Sequence, residues 1–180
     1  MFRTPAEYFR RNVSRFRDAR DGATAVEFAL IAPAFLAMLF AIIQTTLFLF
    51  AQQTLQNAAV EAGRMFMTGS AQTSGLTQSQ FASDVCPMVS ALFNCNNLQI
   101  DVSTYSSFSS ASTSAPSLYN SKGQLQTTGT FSPGTQGEIM VVQLAYPWPI
   151  FGIPLGSVLP SSGYGTTEIM GVTAFRVEPY

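Results

Sequence analysis

The sequence contains no histidine, only two cysteines and one tryptophan, and charged residues make up just 11% of its 180 positions. Without histidine the commonest general base and metal ligand is missing. Two cysteines alone cannot complete a structural zinc site. No phosphate loop, calcium loop or nucleophile elbow occurs. The acids Asp84, Asp101, Glu138, Glu168 and Glu178 are scattered. Neither catalysis, a metal, a cofactor nor a small-molecule substrate is therefore expected. The net charge of −1 provides no basic field for nucleic acid.

What charge there is lies unevenly. Six of the nine basic residues (Arg3, Arg10, Arg11, Arg15, Arg17 and Arg20) fall within residues 1–21, and from Gly22 onward only Arg64, Lys122 and Arg176 remain. Directly after this basic arm, residues 28–43 read FALIAPAFLAMLFAII, with no polar side chain. The wider stretch 23–50 is interrupted only by Thr24, Glu27, Gln44, Thr45 and Thr46. About 20 helical residues cross a bilayer core of roughly 30 Å, so the segment is long enough to span it. Basic residues before the span and almost none after it place the arm in the cytoplasm and the C-terminal part outside. No small-x-small site follows the apolar run, which argues against an ordinary cleaved secretory signal.

Glu27 is an acid at the start of this apolar run. An intramembrane carboxylate marks a functional site whose partner should be identified, unless it snorkels to the headgroups. Cleavage after Gly22 would make Ala23 the new N-terminus and Glu27 the fifth residue. The free amine of one chain could then meet the carboxylate of a neighbour, setting the register between helices as much as their affinity. Pro33 lacks an N–H and is expected to kink or locally loosen the helix. Small residues (Ala29, Ala32, Ala34, Ala37, Ala41) permit close helix approach, although alanine is also simply common in such helices.

Beyond the span, Leu55, Ala58, Ala59, Ala62, Met65 and Phe66 recur at helical spacing. They predict an apolar stripe on a helix that continues to Gly69, a plausible stop. One helix from about Ala23 to Met67 would be roughly 65–70 Å long. Glu61 and Arg64 are spaced to pair on its surface.

With these residues in view, the sequence resembles the TadE-like family, minor pseudopilins of tight-adherence (Flp-type, type IVb) pili. The resemblance rests on GATAVEFALIAPAFLAMLF and LFAQQTLQNAAVEAGRMFMTG, within residues 22–69, and on the closing FRVEPY. Gly22, Glu27, Phe28 and Pro33 match the family pattern. Gln44 departs from it, since many relatives carry a second acid there. The resemblance implies cleavage between Gly22 and Ala23 by a prepilin peptidase, and assembly through Glu27 and Phe28. The implied partners are inner-membrane lipids, the peptidase, other pilin or pseudopilin subunits and the pilus assembly platform.

The outer part, residues 70–180, reads as a small domain. Thr77-x-x-Gln80 is a capping box, and Phe81, Val85, Val89 and Leu92 follow at helical spacing. Pro87 argues for a break there. Cys86 and Cys95 form a disulfide in an oxidising compartment; two free thiols are the alternative. Residues 98–105, 138–145 and 167–177 read as strands, the first with clear alternation. Residues 106–137, rich in Ser, Thr, Gly and Gln, read as a long loop or irregular hairpins, with 103–117 as solvated spacer. Residues 146–160 are apolar but full of Pro and Gly, and regular central strand structure is not expected there. Tyr146, Trp148 and Phe151 within them are a candidate subunit interface, or else close the core or rest on the membrane face.

The fold class expected is α+β: a single transmembrane helix extended as a spine, carrying a small domain of antiparallel strands. Residues 1–22 form a cleaved leader, 23–50 the membrane helix, 51–69 its continuation and 70–180 the periplasmic domain. The function expected is that of a minor pseudopilin supporting pilus assembly and surface attachment. The alternative is an uncleaved single-pass scaffold of the same machinery, its arginine arm retained for anionic lipid or a cytoplasmic partner.

Overall fold

The computed structural model describes residues 22–150 and 165–179. The elements are helix α1 (Ala23–Met67), a short helix α2 (Ser70–Thr73), helix α3 (Gln78–Val89), a 3-10 turn (Cys95–Asn97), and strands β1 (Gln99–Tyr105), β2 (Thr128–Phe131), β3 (Ile139–Pro149) and β4 (Thr166–Arg176). This is an α+β fold with one long N-terminal helix. Two compact units divide between Ile43 and Gln44.

In the second unit the predicted stripe finds its partner. Leu55, Ala58, Ala59, Ala62 and Phe66 are buried, together with Ala51 and Gly63. They pack on one face of a four-stranded sheet of order β2-β1-β3-β4. Helix α3 covers the same core through Phe81, Val85 and Val89. Phe66, Phe81 and Phe131 form an aromatic cluster with ring centroids 4.9 to 6.1 Å apart. Burying such a ring contributes about 1.5–3 kcal/mol. Glycine at 69 adopts a left-handed conformation, φ 73°, as α1 ends.

Thr77 caps α3 as expected, its side chain accepting from Gln80 N while the Gln80 side chain accepts from Thr77 N. Pro87 does not break this helix. It lies only two residues before the end at Val89, and its missing N–H removes just the one intrahelical bond to the Ser83 carbonyl. A disulfide joins Cys86 on α3 to Cys95 in the 3-10 turn. Between α1 and α3 the chain forms the short helix α2.

The sheet corrects three readings. First, β2 is a fourth strand, and it pairs with β1 in parallel, whereas β1–β3 and β3–β4 are antiparallel. Four residues of TGTF with alternating exposure give little periodic signal. Second, β3 continues through Tyr146–Pro147–Trp148–Pro149, paired with residues 166–169 of β4. The β1 ladder ends at Ala145. Beyond that residue β3 has a neighbour on one side only, and a strand edge tolerates proline. Third, the Ser-rich segment is not all spacer. Ile139, Val141, Gln143 and Ala145 lie on the sheet face opposite the core, and all are buried. Leu118 is 3% exposed, the Gln143 amide donates to Ser114 O (3.3 Å), and the Tyr119 and Thr166 hydroxyls share a 2.8 Å bond. A short apolar run buried on both faces cannot show strand alternation.

Candidate assembly site

Helix α1 begins at Ala23, immediately after Gly22. A Cβ added at Gly22 would meet nothing within 4 Å. Glu27 lies in the second turn and is exposed, as is Phe28 at 73%. Pro33 is inside the helix, which continues on both sides of it. Val26, Leu30, Ile31, Phe35 and Phe40 are also largely exposed. This is the only helix among the described residues long and apolar enough to cross a membrane, and none of its most apolar window is buried within the protein. An all-round apolar surface of this length is what lipid or other helices must cover. Among the described residues of this apolar stretch, Glu27 is the one charged side chain. The arginine arm lies outside the described residues.

Residues 22–70 match the family described as TadE-like protein. Comparison with curated proteins and with solved structures returned no match. The TadE-like segment starts at Gly22, runs the length of α1, and ends as α2 begins. It includes Glu27, Phe28 and Pro33, and it stops before the sheet.

Other candidates fall within the second unit. Tyr146 is buried, edge-on to Phe93 with centroids 4.9 Å apart, and half-buried Trp148 meets Phe93 at 5.9 Å. Phe151 lies outside the described residues. Glu61 and Arg64 pair on the helix surface at 3.6 Å. A cleft of about 390 Å³ beside the disulfide is lined by Gln78, Ser79, Asn96 and Thr128 among others. No cluster of His, Cys, Asp and Glu able to hold a metal occurs among the described residues.

The helix–sheet contact contains residues that the sequence reading passed over. Gln52 donates to Met170 O (2.7 Å). Gln56 donates to Val172 O (2.7 Å) and accepts from Val172 N (3.0 Å). The two glutamines, one turn apart, occupy the outer edge of β4 where a fifth strand would pair. Between them the helix backbone comes directly onto Gly171: a Cβ there would lie 2.9 Å from Gln56 N and closer still to the Leu55 carbonyl. Gly63 on the helix instead meets side chains of the strand, the Thr173 methyl and the Phe175 ring. A glycine inside a helix pattern and another inside a strand pattern were the available signals of close backbone approach.

Proposed function

We propose that this chain is a minor pseudopilin of a tight-adherence pilus. A peptidase removes residues 1–22, and the Glu27 carboxylate then docks on the amine exposed at Ala23 of a neighbouring chain. The observation that carries this reading is the coincidence of three features in the TadE-like segment. Glycine precedes the helix, an acid stands five positions later, and both border an apolar surface whose most apolar window is not buried among the described residues. In a low dielectric the ion pair gains strength, but both charges must first be desolvated, so the pair acts mainly on register. The basic arm supports insertion with the leader in the cytoplasm and the sheet domain in the periplasm. The subunit primes, caps or joins the fibre and so supports surface attachment.

Mass spectrometry of the N-terminal peptide from membrane and sheared-surface fractions tests the proposal. A chain beginning at Ala23 is expected. A retained arginine arm would instead favour the uncleaved scaffold. Gly22→Leu should block processing without disturbing the fold, because the added side chain has open space. Glu27→Ala should insert normally but fail to assemble, and unaltered assembly would remove the charge-pair mechanism.

A further inference from the structure

Helix α1 and strand β4 run side by side in the same direction. Gln52 lies at Met170, Gln56 at Val172, Gly63 at Thr173 and Phe175, and the Met67 carbonyl accepts from Glu178 N. This register can be followed backwards. From Met170 to Thr167 is three residues, about 10 Å of strand, which equals some six or seven helix positions counted back from Gln52. Thr167, and Trp148 paired with it, therefore stand level with Thr45 and Thr46.

At that level the chemistry of the helix changes. The uninterrupted apolar run ends at Ile43, Gln44, Thr45 and Thr46 follow it, and glutamine recurs at 52, 53 and 56. Leu47, Leu49 and Phe50 between them are 48 to 59% exposed. Strand β3 ends in half-buried Trp148 and exposed Pro149 in the same zone, with Ile150 directly after it, and β3 carries no charge along its length. Five charged residues (Glu61, Arg64, Glu138, Arg176 and Glu178) lie toward Met67, and one, the partly buried Glu168 opposite Pro147, lies toward the Trp148 end. Tryptophan, with an apolar ring and one N–H donor, favours the headgroup level of a bilayer.

We propose that the far end of the β3–β4 ladder, Trp148 to Ile150, rests in the bilayer headgroup region beside residues 45–50 of the helix, as a second lipid contact in addition to the membrane span. The contact fixes how deeply the helix sits and so the height at which Gln52 and the sheet emerge. It rests on the reading of α1 as a membrane anchor, not on leader cleavage.

Trp148 is the only tryptophan and reports directly. The full chain is reconstituted in phosphatidylcholine–phosphatidylglycerol vesicles containing lipids brominated near the headgroup or near the chain end, and flotation is checked in parallel. Shallow bromines should remove most of the Trp148 emission, deep bromines less, and aqueous iodide little. A second protein, Trp148→Phe with Ile150→Trp, moves the probe away from Phe93 and should be quenched in the same order. Protein that floats but shows no bromolipid quenching from either probe overturns the lipid contact while leaving the anchor intact. Shielding that appears only at high protein-to-lipid ratio overturns it in favour of a second copy of the chain. Failure to float overturns the anchor itself and the contact with it.

Discussion

Gly171→Ala is the sharpest probe of the contact between helix and sheet, because two effects oppose each other in sign. Gly171 has no left-handed backbone to protect. If nothing crowded it, alanine would restrict the unfolded chain and stabilise the fold by about 0.4–1 kcal/mol. In the structure the new Cβ would overlap the Leu55 carbonyl and lie 2.9 Å from Gln56 N. Both are helix backbone atoms and cannot rotate away. Overpacking of this kind costs about 1–3 kcal/mol, and separating the helix from β4 would also lengthen the Gln52 and Gln56 bonds. The net expectation is destabilisation by about 1–3 kcal/mol. Gly63→Ala is the control. Its Cβ would meet the methyl of Thr173 and the ring edge of Phe175, side chains that can yield, while alanine gains about 1 kcal/mol of helix propensity. Its net effect should fall within about 1 kcal/mol of zero. Urea unfolding of the full chain in detergent micelles, followed by Trp148 emission, measures both. A Gly171→Ala midpoint equal to or above that of the parent would refute the close approach.

Three further outcomes are expected. Gln56→Leu removes two hydrogen bonds worth about 0.5–1.5 kcal/mol each and should accelerate hydrogen exchange at the Val172 amide, whereas Gln56→Glu keeps the acceptor and should preserve part of that protection. Glu168 has one carboxylate oxygen that is buried without a partner, and burial raises its pKa above the ordinary 4.5. The folded state thus favours the protonated form, so the group's contribution is fully present below pH 4.5 and is lost as pH rises through the raised value. Glu168→Gln should therefore raise the melting temperature at pH 7 and have much less effect at pH 4, as a thermal scan at both values would show. Finally, Cys86→Ser with Cys95→Ser opens a loop of about ten residues and should cost roughly 2.5–3 kcal/mol in the same urea assay.

The sequence was most legible where one face of one element meets the core. The helix stripe from Leu55 to Phe66 could be read because a single buried face imposes a 3.6-residue period. The Thr77–Gln80 box and the alternation through Leu98, Ile100 and Val102 were legible for the same local reasons. Legibility failed where the decisive partner is distant. Whether Pro147 and Pro149 may sit in a strand depends on where β1 stops, which no local pattern encodes. Leu118 looks like an isolated apolar residue among serines until the second sheet face is seen. The glutamines at 52 and 56 look like ordinary solvated helix positions, because their acceptors lie 118 and 116 positions away. At the proposed assembly site, Gly22, Glu27 and Phe28 stood out by spacing against an apolar background, a contrast that needs no tertiary information.

That separation along the chain has a temporal side. At about 5–20 residues per second of synthesis, the interval between Gln56 and Val172 corresponds to several seconds or more. Throughout it, a helical surface of Leu55, Ala59, Ala62 and Phe66 has emerged while the strand that shelters it is still being made. A newly made chain therefore presents an adhesive greasy flank until its final strand arrives, and any chaperone of the nascent protein has that flank as its natural handle.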